Sequence, residues 1–287
     1  MTHPKTKIIK GTVTQIVSRE SRSFPYKDEI RKIFKKEIFN KSPLLSTKGV
    51  LDARLIGLTV EYLSKYLCGW DVQEAITTFK NNLVLLESMS QEHFEHYLQT
   101  AEKLNQEEDR QLSNDLISDF MNLSAYDRIY RAGAGVEAVV ELQNSNKPSE
   151  EEFEYITQLI NRSMEFLKKC EPMFKHPLKF RPETFKHCSH LSNADGDFYS
   201  DLTILDFKVT KYNGVYSDDC LQVLTYWLLQ RLENNLSNSK FDKEIEYIMI
   251  FNPNYNALYT CKVEDVTEEM IDFICERIMG VDKNLIF

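Results

Sequence analysis

Apolar residues recur every three to four positions through the first half of the chain, the period of an amphipathic helix. In YKDEIRKIFKKEIF (26–39), Ile30, Ile33, Phe34 and Ile38 share one side with Lys and Arg between them, so a helix with a basic face is expected. VLDARLIGLTVEYLSKYLCG (50–69) carries Leu55, Leu58, Val60, Leu63 and Leu67 as its apolar stripe, and Gly69 suits a helix end. The helical period continues through DVQEAITTFKNNLVLLESM and EHFEHYLQTAEKLNQ. It returns in NDLISDFMNLSAYDRIYRAG (114–133), where AGAG interrupts it. QNSNKPSE (143–150) is polar, holds a proline and ends in a Ser–Glu helix start, which marks a boundary. A long helix over 149–170 follows, with Ile156, Leu159, Ile160, Met164, Phe166 and Leu167 on its core side.

Beyond that helix the period changes. TFKHCSHLS, DGDFY and LTILDFKVT alternate or carry β-formers at strand length. SDDCLQVLTYWLLQRLENN (217–235) returns to a helix, and EIEYIMIFNPNYNALYTCKV (244–263) reads as two strands around an NPN turn. VTEEMIDFICERIMG closes with a helix. An α/β C-terminal part, 146–287, therefore follows an N-terminal helical region, 1–145, and no internal repeat is visible.

Composition narrows the function classes. The chain has 287 residues and a net charge of −9, which argues against a surface coated in base but allows a local basic groove. From Gln91 to Phe120 there are eight acids against two bases, a solvated acidic face rather than a phosphate contact. Residues 160–186 invert this balance, with seven bases against three acids, and can be read as a strip that tracks phosphates or as plain surface. No apolar run spans a bilayer and the N-terminus lacks a signal-peptide core, so no membrane association and a cytoplasmic location are expected. The six cysteines are scattered without a CxxC pair, which excludes zinc-finger and iron–sulfur spacing. His187 and His190 flank Cys188 in KHCSH but have no second cluster to complete a metal site.

The stretch ADGDFYSDLTILDFKVTK (194–211) sets Asp195, Asp197, Asp206 and Lys208 within strand-like runs. Strands disfavour Asp, and a buried carboxylate is costly without a partner. With Ser200 and Asp201 in a tight turn, Tyr199 faces Leu202, Asp197 faces Ile204 and Asp195 faces Asp206. All three acids and Lys208 then share one side, and Phe198, Leu205 and Phe207 take the core side. Clustered carboxylates repel one another, and a divalent cation is the usual relief. Gln222 and Tyr226, spaced i, i+4 on the next helix, share a face that can reach the same edge.

Asp-x-Lys across a hairpin, followed by a helix bearing QxxxY, resembles the PD-(D/E)XK nuclease superfamily, and most nearly its RecB-like exonuclease branch. The resemblance covers roughly Ser149 to Val263. It implies a central mixed sheet flanked by helices, a Mg2+ or Mn2+ cofactor and hydrolysis of DNA phosphodiester bonds to 5′-phosphates. On that pattern Asp197 or Asp195 is the first metal acid and Asp206 the second, and the Phe207 carbonyl also meets the metal. Lys208 orients the attacking water, while Gln222 and Tyr226 brace the site or touch the DNA backbone. Lys211 lies at the mouth, where substrate passes. No proline precedes the first Asp, and the family's upstream helical acid is open among Glu137, Glu154 and Glu165. The alternative expectation is an inactive nuclease-like scaffold that binds nucleic acid or a protein partner, with the helical half as docking surface. A protein partner or a second copy of the chain is compatible with either reading.

Overall fold

The computed structural model describes residues 10–39, 43–45, 49, 51–170, 178–200, 202–236 and 244–287. A short strand, β1 (Gly11–Thr12), leads into α1 (Val13–Glu20), α2 (Lys27–Ile33) and strand β2 (Lys35–Ile38). The helical layer follows: α3 (Ala53–Leu67), α4 (Val72–Ala75), α5 (Phe79–Met89), α6 (Gln91–Asn105), α7 (Asn114–Ala125), α8 (Asp127–Ala132), α9 (Val136–Ser145) and α10 (Glu150–Cys170). Then come β3 (Leu191–Asn193), β4 (Phe198–Tyr199), β5 (Thr203–Phe207), α11 (Ser217–Leu236), β6 (Tyr247–Asn252), β7 (Ala257–Lys262) and α12 (Glu268–Phe273). The molecule is α/β, with a mixed five-stranded sheet in the order β2-β7-β6-β5-β4. β5 and β6 are parallel, joined by the α11 crossover, and the other pairs are antiparallel.

Local chemistry sets many of the ends. Asp52 caps α3 by accepting from the Arg54 and Leu55 backbone N–H groups at 2.9 and 3.0 Å. Ser149 and Glu152 form a reciprocal capping box at the start of α10, as the Ser–Glu pattern predicts. Gly69 (φ +94°) and Gly133 (φ +63°) end α3 and α8 in the left-handed region, where a Cβ is unfavourable.

The sheet divides two cores. Phe198, Leu205, Phe207, Phe251 and Leu258 face the helical layer, packing with α3 and α10 residues such as Leu63, Ile160 and Phe166. Tyr199, Ile204, Ile248, Ile250 and Cys261 face the other way, onto α1, α11 and α12. The period-2 alternation along β5 thus assigns odd and even residues to different cores, and Asp206 falls on the α11 side.

One expectation changes. Residues 26–39 are not one helix, because α2 stops at Ile33 and the chain becomes β2, paired antiparallel with β7 from Lys35↔Thr260 to Ile38↔Ala257. The open edge of β7 offers backbone partners that outcompete further helical turns, and Ile38, apolar in the helical pattern, is left 49% exposed on the edge strand. In the 160–186 strip three of the seven bases have partners within the protein. Arg162 donates to the carbonyls of Pro253, Asn254 and Pro43, Lys169 pairs with Glu165, and Arg181 pairs with Glu233. Lys175 lies outside the described residues. KHCSH falls in a turn before β3, with Cys188 buried. No helix among the described residues is long and apolar enough to cross a membrane.

Candidate active site

The β4–β5 hairpin closes between Ser200 and Thr203, not between Tyr199 and Leu202. The Ser200 N–H donates to the Thr203 carbonyl at 2.9 Å, and the Ser200 hydroxyl accepts the Thr203 N–H at 3.0 Å. Asp201 lies outside the described residues. The observed pairs are Phe198↔Leu205 and Tyr199↔Ile204, so the register slides by two from the expected one. A slide by two keeps every side chain on its own face. It replaces Asp195 by Asp197 as the residue opposite Asp206. One Asp197 carboxylate oxygen accepts the Phe207 backbone N–H at 2.6 Å, tying the first acid to the strand that carries the second.

From Asp206 a chain of polar contacts runs to α11. The Lys208 ammonium sits 2.6 Å from Asp206 Oδ2 and donates to Gln222 Oε1 at 3.2 Å. Gln222 Nε2 donates to the Tyr226 hydroxyl at 2.7 Å and to Thr14 Oγ1, on α1, at 3.2 Å. The i, i+4 spacing does what it predicts: one amide links the lysine to the tyrosine. Asp206 and Tyr226 are each 2% exposed, and Asp197 is 9% exposed.

Asp195 is near enough to Tyr226 for its charge to act there, and its own partners lie elsewhere. It forms an isolated bridge with Lys179 and accepts from Arg131 on α8 at 2.5 Å. Arg131 also donates to buried Asp127 at 3.0 Å, and Asp127 accepts from the Tyr62 hydroxyl at 2.7 Å and from Thr78. Asp195 is thereby part of a buried tie between the helical layer and the loop leading into β4. Lys211 contributes its backbone carbonyl, which accepts from the Tyr255 hydroxyl at 2.8 Å.

Glu137, Glu154 and Glu165 are open in the sequence as the upstream acid. Glu137 is exposed in the first turn of α9, Glu154 accepts from Gln158, and Glu165 pairs with Lys169 on the outer side of α10. Glu61 on α3 instead lies close enough to Asp197 to feel its charge. It forms an ion pair with Lys65, whose side chain is fully buried among Tyr62, Trp70 and Phe198. The only sequence signal was a Glu–Lys i, i+4 pair inside an apolar helix, a pattern that ordinarily lies on the surface.

The electrostatics follow from burial. Burial, with the neighbouring charge of Asp197, pushes the Asp206 carboxyl up to about 7 against the pull of Lys208. The same two causes push Glu61 up to about 8 against Lys65 and Arg131. Burial disfavours the Lys208 ammonium, but Asp206, Asp219 and Asp197 outweigh it and hold the lysine charged well above its ordinary range. Asp219, in the first turn of α11, is raised by burial and lowered by Lys208.

Among the described residues no three Asp, Glu, His or Cys side chains converge as a ready-made metal group. The donor chemistry nevertheless suits a hard divalent cation: Asp197, Asp206 and Glu61 supply carboxylate oxygens, and two of them are driven toward the neutral form where no cation offsets their charge. No protein-family model, curated protein or solved structure matches this chain.

Proposed function

We propose that the protein is a metal-dependent nuclease that hydrolyses DNA phosphodiester bonds, built on a PD-(D/E)XK-type core. The observation that carries this reading is the unbroken contact chain Asp197–Phe207 N–H, Asp206–Lys208, Lys208–Gln222 and Gln222–Tyr226 along one edge of the sheet. Asp206 and Asp197, with Glu61 from α3 and the Phe207 carbonyl, would hold Mg2+ or Mn2+. When bound, the ion supplies Lewis-acid polarisation of the phosphate and neutralises developing negative charge.

The chain's own groups account for the rest. Lys208 stays protonated, so it is no general base; it donates hydrogen bonds to the attacking water and stabilises negative charge as it develops. Gln222 fixes the ammonium's position from one side while Asp206 fixes it from the other. Tyr226, buried and kept neutral by that burial, anchors the amide of Gln222. Water attacks phosphorus and loses a proton to solvent, the bond to the 3′ oxygen breaks, and that oxygen takes a proton from solvent and leaves as a hydroxyl, giving a 5′-phosphate end.

A second reading, a nuclease-like scaffold without turnover, draws on the lack of three convergent acids among the described residues. Titration calorimetry with Mn2+ separates the two. The nuclease reading expects specific binding that Asp206→Ala abolishes and Glu61→Gln weakens. Equal heats for wild type and Asp206→Ala would move the assignment to the scaffold.

A further inference from the structure

A cavity of about 370 Å³ is lined by Asp28, Arg31, Lys32, Lys36, Tyr212 and Tyr259, among others. Tyr212, in its lining, belongs to an exposed aromatic pair. Tyr212 and Tyr216, on the loop between β5 and α11, stack with ring centroids 4.6 Å apart and planes 27° from parallel. They are 39% and 49% exposed, so the stack keeps ring surface in water. Two large rings stacked at the surface form a flat apolar face that a third planar group can extend.

A basic segment adjoins this pair through Arg31 and Lys36. Residues 27–36 hold Lys27, Arg31, Lys32, Lys35 and Lys36 against Asp28 and Glu29, in a chain whose net charge is −9. Arg31 is engaged by Asp28 and lies beside the Tyr212 hydroxyl. Lys36 donates to Asn213 and stands 5.7 Å over the rings of Tyr255 and Tyr259. Among the described residues no ion pair engages Lys32 or Lys36, so neither charge is neutralised by an acid, while Lys35 lies on the other face of β2 and donates to the Lys32 carbonyl. Glu37 points to the other face of β2.

The chain links the aromatic pair to the site. Its loop starts at Lys208 and ends in α11, and a backbone hydrogen bond from Tyr216 reaches Asp219, whose charge Lys208 feels. Aromatic faces beside unpaired lysines match a polymer that alternates flat bases with phosphates. A duplex keeps its base faces stacked inside, so the complementary partner is a single strand.

We propose that Tyr212 and Tyr216, with Lys32 and Lys36, form a platform that stacks bases of single-stranded nucleic acid and leads the strand to the Asp197–Asp206–Lys208 site. The proposal rests on the nuclease reading of that site. The test is fluorescence anisotropy of labelled oligo(dT) and of a blunt duplex of equal length, in EDTA so that nothing is cut, with circular dichroism to verify folding. Tyr212→Ala/Tyr216→Ala should weaken oligo(dT) binding about tenfold or more and change duplex binding little, while Tyr212→Phe/Tyr216→Phe keeps the affinity. Lys32→Glu/Lys36→Glu should weaken oligo(dT) binding and flatten its salt dependence. Wild-type affinity in the alanine variant, equal losses on both ligands, or no oligo(dT) binding by wild type would overturn the platform. Metal-dependent cleavage that is lost in Lys208→Ala but unchanged in the alanine variant would leave the nuclease standing and remove the platform alone. Tyrosine-dependent binding without cleavage would do the reverse.

Discussion

Asp206 is the residue on which the proposed chemistry turns. Its carboxyl is 2% exposed and shares its surroundings with Asp197, so its proton is held far more tightly than an exposed aspartate's. The linkage has a definite sign: a raised folded-state pKa means the fold binds the extra proton, so stability is fullest in acid and declines as pH rises through about 7. Glu61, raised to about 8, adds to the same decline. Thermal midpoints in EDTA should therefore fall between about pH 5 and about pH 8, the fall should be smaller in Asp206→Asn, and Mg2+ should oppose it by favouring the ionised carboxylates. A midpoint that rises over this range equally in both proteins would contradict the burial argument. At this scale the sequence was informative where contacts are local. Asp206 and Lys208 share a strand face through the period of two, and Gln222 and Tyr226 share a helix face through i, i+4. It was silent on Glu61 and Arg131, since both reach the hairpin only through the packing of α3 and α8 onto it.

At the scale of elements, helices were legible because each declares its own period and caps, as Asp52 and Ser149 do. Strand β2 was not, because Ile30, Ile33, Phe34 and Ile38 fit a helix, and only the distant edge of β7 converts the second half to a strand. The hairpin turn was misplaced for a different, local reason: Ser200 hydrogen-bonds Thr203 through both backbone and side chain, which no periodicity reports. The difference between edge and core can be measured. Ile38→Thr should change unfolding free energy by no more than about 0.5 kcal/mol, as expected for an exposed edge position. Phe251→Ala should cost about 3–5 kcal/mol, because this fully buried ring stacks on Phe166 at 4.1 Å and fastens the sheet to α10. Urea denaturation reads both, and a loss at Ile38 as large as a core truncation would argue for the helix in place of β2.

At the scale of the molecule, the sheet's two faces do different work. The Phe198–Phe207–Phe251 side binds the helical layer, and through it Glu61 and the Arg131–Asp127 tie reach the hairpin. The other side seats α11, which carries Gln222 and Tyr226, and α1, which carries Thr14. The candidate site sits where both layers meet the hairpin, which is why its acids come from distant parts of the chain. The central claim, a metal-dependent DNA nuclease, is tested most directly by incubating the purified protein with linear and circular, single- and double-stranded DNA in Mg2+, Mn2+ or EDTA, beside Lys208→Ala. The account predicts cleavage with either metal, none in EDTA, and a loss of at least about a hundredfold in the variant. Cleavage that survives unchanged in Lys208→Ala, or no cleavage of any substrate in either metal, would contradict it.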